Sequence, residues 1–149
     1  MSRLSALELE AWQALLHAHE KVTQRLELEL RDAHDIGLGD YDVLLRLAKA
    51  PDRRLKMTDL ARRAMLSPSS LTRVVDRLVE RRLVERDRST TDNRVVNASL
   101  TEAGRKRLRA AARTHLRGIR EHFTGQLTDA QLRDVTAALQ VISGPHEPH

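Results

Sequence analysis

The chain of 149 residues contains no cysteine. That excludes disulfides, thiol catalysis and cysteine-based redox sensing. Aromatic residues are nearly absent: Trp12, Tyr41 and Phe123 are the whole set. A core must therefore be built from leucine, valine and alanine, which favours helices. No apolar run approaches the roughly 20 residues that cross a bilayer. The start, MSRLSALELEAW, is too acidic and too broken for a signal peptide. A cytoplasmic protein without a membrane partner is the expectation. A glycine-rich phosphate loop and a serine-nucleophile motif are both missing, so no enzyme, no catalytic residue and no cofactor is expected. Histidines are present, but His17 and His19 point about 200° apart on a helix and cannot chelate together. No spacing matches a metal site, and none is expected.

What is abundant is arginine, 22 residues against 4 lysines. A GC-rich genome would explain that choice of cation but not its placement. Residues 1–52 carry 6 basic and 10 acidic groups, residues 53–94 carry 12 and 6, and residues 95–149 carry 8 and 5. The overall charge of +5 thus hides a basic middle third. Such a patch suits a polyanion.

Helical spacing and cap signals divide the chain. Ser5-Ala6-Leu7-Glu8 forms a capping box, with Leu4 and Leu9 as its staple, ahead of a helix to about Ala33. Gly37 and Gly39 break the chain, and a second helix runs from Asp40 to before Pro51. Leu55-Lys56-Met57 is extended. Thr58 caps a short helix, and Met65-Leu66-Ser67 is a tight turn. Ser67 is the N-cap of the next helix and Pro68 its first residue. That helix continues to about Arg82, with Leu71, Val74, Val75, Leu78 and Val79 forming one apolar stripe. Two short strands follow near Leu83–Arg88 and Arg94–Leu100, joined by the polar stretch 89–93. Thr101 caps a long helix that ends at Gly125. Thr128-Asp129-Ala130-Gln131 is a second capping box, opening a last helix with Leu132, Val135, Leu139 and Ile142. The tail, GPHEPH, is expected to be disordered.

Short helix, tight turn, amphipathic helix and hairpin make a winged helix-turn-helix, in which the second helix lies in the major groove of duplex DNA. Residues 66–94 hold seven arginines and no lysine. On the outer face of the second helix, Ser67, Ser69, Ser70 and Thr72 can hold a phosphate at the helix N-terminus. Arg73 and Arg77, one turn apart, can reach base edges or phosphates. Two other readings stay open for single arginines. They can be a solvated face, or pair about one turn along the helix with Asp76 and Glu80. For the whole chain the alternatives are a winged-helix protein-interaction module, or a non-specific or RNA-binding protein without an effector. The basic region lacks the aromatics on which single strands stack, which counts against the last.

The run RLVERRLVERDRSTTDNRVVNASLTEAG resembles the core of MarR-type transcription regulators. The matching pieces are Leu83-Val84 with Arg86, the wing Asp92-Asn93-Arg94, and Leu100-Thr101-Glu102-Ala103-Gly104. Leu38-Gly39-Asp40-Tyr41, Met57-Thr58-Asp59-Leu60-Ala61 and Leu66-Ser67-Pro68-Ser69-Ser70 fit upstream. The wing departs from the pattern in lacking a glycine. The resemblance implies a mainly α fold with a small β-hairpin wing, a winged helix-turn-helix core flanked by dimerisation helices. It implies one domain over residues 1–149: dimerisation helices at 1–36 and 102–143, a DNA-binding lobe at 40–100 and a flexible tail at 144–149. It also implies a homodimeric regulator, expected to be a repressor, on a near-palindromic operator.

In the wing the resemblance makes Asp92 orient Arg94 toward the minor groove, with Arg86 and Arg88 supporting the wing or touching the backbone. It further implies release of DNA when a small aromatic or acidic effector binds. Trp12, Leu16 and His19 share one face of the first helix, and Tyr41, His115 and Arg46 complete the expected pocket. The plainer alternative is that these aromatics are core and the histidines structural.

Overall fold

The computed structural model describes residues 3–64 and 66–145. Among them are six α-helices and three strands: α1 (Ala6–His34), α2 (Leu38–Lys49), β1 (Arg54–Lys56), α3 (Met57–Ala64), α4 (Pro68–Glu80), β2 (Val84–Arg88), β3 (Val96–Leu100), α5 (Glu102–His122) and α6 (Asp129–Ser143). The chain divides into two compact units, residues 26–115 and residues 1–25 with 116–149.

Residues 26–115 hold the core. The α4 stripe Leu71, Val75 and Leu78 is buried with Leu30, Ile36, Val43, Leu44, Leu47 and Leu60. Each such side chain contributes about 1.5–3 kcal/mol by leaving water. The antiparallel sheet has the order β1-β3-β2, with Ala98 of β3 opposite both Leu55 and Arg86. The expected two-stranded hairpin is therefore three-stranded, because the extended stretch after α2 adds an edge strand. That pairing ends at Lys56 opposite Asn97, so the chain turns one residue early and Met57, rather than a cap at Thr58, opens α3.

Other boundaries move for local reasons. Helix α2 begins at Leu38, and Gly39 lies inside it instead of breaking it. Gly37 takes the N-cap position, and its N–H donates to Asp40 Oδ2 at 2.8 Å. Helix α4 stops at Glu80, two residues short of expectation. Arg82 turns left-handed (φ 60°), while Leu83 N–H donates to the Leu78 carbonyl at 2.9 Å and Arg82 N–H to that of Val79 at 3.0 Å. These two bonds close the helix end. The sheet then passes into α5 at a tight junction. Thr101 Oγ1 accepts from Gly104 N–H at 2.9 Å, and a Cβ on Gly104 would sit 2.1 Å from the Leu83 carbonyl oxygen. Only glycine allows that approach.

In residues 1–25 with 116–149 both capping boxes form: Ser5 with Glu8, and Thr128 with Gln131. Helix α5 ends at His122 rather than at Gly125, which lies in a short 3-10 turn, Thr124–Gln126. Among the described residues of this unit only Gly118 is buried. Its large apolar side chains face outward, among them Leu4, Leu7, Trp12, Leu116, Val141 (86% exposed) and Ile142 (79%). The expectations for Met65 and for the tail from residue 146 lie outside the described residues.

Candidate nucleic-acid interface

The head of α4 is a knot of hydroxyls. Ser67 Oγ accepts from Ser70 N–H at 3.2 Å, the N-cap bond expected of a serine before a proline. The same hydroxyl donates to Ser70 Oγ at 2.9 Å and lies 3.2 Å from Ser69 Oγ. All three serines are exposed at the positive end of the helix, an arrangement that attracts an anion. Thr72 donates back to the Pro68 carbonyl at 2.8 Å.

Behind that head the arginines separate into two kinds. Arg73 is exposed and makes no hydrogen bond or ion pair with any described residue. Arg77 instead reaches across to α2, where its Nη2 donates to Asp40 Oδ1 at 3.1 Å. The pairs within the helix considered for this face do not form: Asp76 pairs with Arg86 of β2, which also approaches the Thr72 carbonyl at 3.5 Å. That pair ties the recognition helix to the wing. Between them runs an open groove of about 520 Å³, lined by Met57, Thr72, Arg86, Asp87, Arg88 and Val96.

The wing tip is shaped by side chains. Ser89 N–H donates to the Val95 carbonyl at 2.8 Å, and Thr91 N–H to Ser89 Oγ at 3.2 Å. Asp92 Oδ1 accepts from the Arg94 backbone N–H at 3.0 Å and from its Nε at 3.3 Å. No residue of the tip takes positive φ, so the missing glycine is not needed there. Arg88 braces the loop by donating to the Asn93 carbonyl at 2.9 Å. Arg94 is held at its root by Asp92 yet stays 92% exposed. Arg54 pairs with Asp87, tying the edge strand β1 to β2.

A sequence profile described as MarR family matches residues 34–94, which span the helix-turn-helix and most of the wing. AbsC of Streptomyces coelicolor, a MarR family transcriptional regulator of known structure, is 31% identical; the match covers 96% of each chain with a TM-score of 0.88. The chain belongs to the MarR family. Sco3205, another MarR family transcriptional regulator from that organism, was solved in complex with DNA. It is 28% identical, with 99% of this chain and 92% of that one covered and a TM-score of 0.91. The HTH-type transcriptional repressor YetL of Bacillus subtilis (strain 168) is 28% identical over 107 residues, 72% of this chain; the chain spans 64% of YetL's length.

Of the residues that the MarR resemblance marks for a ligand, Tyr41 and His115 come together. Their ring centres are 4.4 Å apart, tilted by 42°. The buried Nδ1 of His115 has no hydrogen-bond partner among the described residues. Burial lowers the pKa of that imidazole, against an opposite pull from Asp42 and Glu29. It raises that of the Tyr41 hydroxyl, with Asp42 adding to the rise. Arg46 is engaged by Asp42 at 3.4 Å. Trp12, Leu16 and His19 belong to the other unit and are exposed within it.

Sequence reasoning missed Asp40 and Asp35 as partners of α4. Asp35 accepts from Arg81 through its carbonyl and, at 3.4 Å, through its carboxylate. Neither pair leaves a signal at helical spacing, because the partners are 37 and 46 residues apart.

Proposed function

We propose that this MarR-family chain is a ligand-responsive repressor that binds a near-palindromic operator in duplex DNA as a homodimer. The observation that carries the reading is Arg73. It is an exposed guanidinium without a partner among the described residues, one turn behind a serine-capped helix head, and the wing adds an exposed arginine rooted by aspartate. An ion-paired surface arginine has a structural use; an unpaired one beside an anion-attracting helix end suits base or phosphate contact. The complex of Sco3205 with DNA supports DNA as the partner.

Dimerisation follows from the apolar surface that residues 1–25 and 116–149 leave outside. Exposed apolar area of that extent marks an interaction site. A two-fold dimer would space two recognition helices about 34 Å apart, one turn of DNA. For the effector, the buried unpaired nitrogen of His115 beside Tyr41 supports a small aromatic acid, whose ring and carboxylate would meet an aromatic wall and a polar atom. Selection of bound fragments from random duplex DNA tests the reading. A two-fold symmetric consensus is the expected result. Enrichment of single strands, of RNA or of nothing would overturn it.

A further inference from the structure

Asp40 is a carboxylate only 3% exposed, which is costly unless every oxygen is used. Oδ2 accepts from the Gly37 N–H at the start of α2, and Oδ1 from Nη2 of Arg77 on α4. The bond to the N-cap N–H alone does not call for the charge, since a neutral amide can serve the N3 position of a capping box as a carboxylate does. The charge has its counterpart in Arg77. One turn further, at the C-cap of α4, Arg81 grips Asp35, so two arginines at the end of the recognition helix are fastened to the start of α2 and the turn before it. That turn is itself fixed: the Leu38 N–H donates to Glu27 Oε2 at 2.5 Å, and Arg31 holds the other oxygen of Glu27 at 2.6 Å.

The tether limits what Arg77 can read. A guanidinium has five N–H donors, and the end-on grip on guanine uses two of them aimed outward together. One N–H of Nη2 is committed to Asp40, which fixes where the fork points, while the half-exposed remainder can still meet a single phosphate oxygen. We propose that Asp40 is a positioning residue for DNA recognition: it holds Arg77 at the root of α4 so that Arg77 meets a backbone phosphate, leaving base discrimination to Arg73. This rests on the DNA-binding reading above.

The test measures binding of the parent, Asp40→Asn, Arg77→Ala and the double variant to the selected duplex across salt concentrations, each confirmed folded by circular dichroism. Asp40→Asn keeps the cap and removes one negative charge, so on charge alone it would tighten binding. Positioning predicts the opposite, a loss of about five- to tenfold. Arg77→Ala should lower the salt slope by about one and leave the preferred bases unchanged. The double variant should bind no more weakly than Arg77→Ala, whereas mere loss of structure would add. Parent-like or tighter binding by Asp40→Asn, additive losses, or a changed base preference in Arg77→Ala would overturn the proposal while leaving the DNA reading intact. A parent that selects no duplex would overturn both. Should Asp40→Asn not fold, Arg77→Lys keeps the charge and loses the fork. A several-fold loss then supports positioning, and parent-like affinity sinks it.

Discussion

Arg73 and Arg94 are two exposed guanidiniums of the candidate interface, and they differ in how they are held. The Arg73 side chain has no partner among the described residues, so removing it breaks no contact seen there. Arg73→Ala should weaken operator binding and relax base preference at one position by about 1–3 kcal/mol, as read by competition among single-base operator variants. Equal affinity for all variants in both proteins would exclude base reading by this residue. Arg94 is rooted by Asp92, and narrow A·T-rich grooves draw such an arginine in. Arg94→Ala should reduce the salt slope by about one unit in titrations from low to moderate salt; an unchanged slope would make the Asp92 pair purely structural. His115 gives a third expectation at this scale. Its folded pKa lies below the usual imidazole value because burial disfavours the cation. The unfolded chain therefore takes up a proton first as pH falls, and stability should decline as pH drops from about 6.5 toward the lowered value. His115→Gln should flatten that part of a melting-temperature profile; a slope equal to the parent's would assign it to other groups.

At the scale of elements, the junction of α4, the wing and α5 is closely packed. The carbonyl of Leu83 accepts from Thr101 N–H at 3.2 Å and leaves no room for a Cβ on Gly104. Gly104→Ala must push backbone apart and should destabilise by about 1–3 kcal/mol in denaturant titrations. A parent-like midpoint would mean that the junction yields. Much of this architecture was legible in the sequence. The stripe from Leu71 to Val79, the Ser67-Pro68 start and both capping boxes are local rules between residues at most four apart, and each forms as written. What was not legible depends on partners distant in the chain. The third strand exists because Leu55 meets Ala98, and Arg77 turns inward because Asp40 is buried beneath it. Read along the helix, Arg73 and Arg77 look equivalent; only tertiary packing separates them.

At the scale of the molecule, the described residues of 1–25 and 116–149 include no buried side chain, while residues 26–115 carry a packed core. Helical pieces of this kind owe most of their stability to packing of an apolar face, so a second copy is the natural source of that packing. The parent should scatter light as a dimer at micromolar concentration. Val141→Asp combined with Ile142→Asp, two of the most exposed apolar positions, should shift it toward monomer and weaken binding to a two-half-site operator more than to a single half-site. A parent that scatters as a monomer would refute the assembly.

The cations of the candidate interface from Arg73 to Arg94 are all guanidinium groups. A guanidinium does not lose its proton at any pH a cell reaches, and it offers no amine for acetylation. This face therefore cannot be silenced by titrating it or by the acyl marks that neutralise lysine. An effector that turns it off without adding charge has to act on geometry, by moving the helix or the wing that carries the guanidiniums.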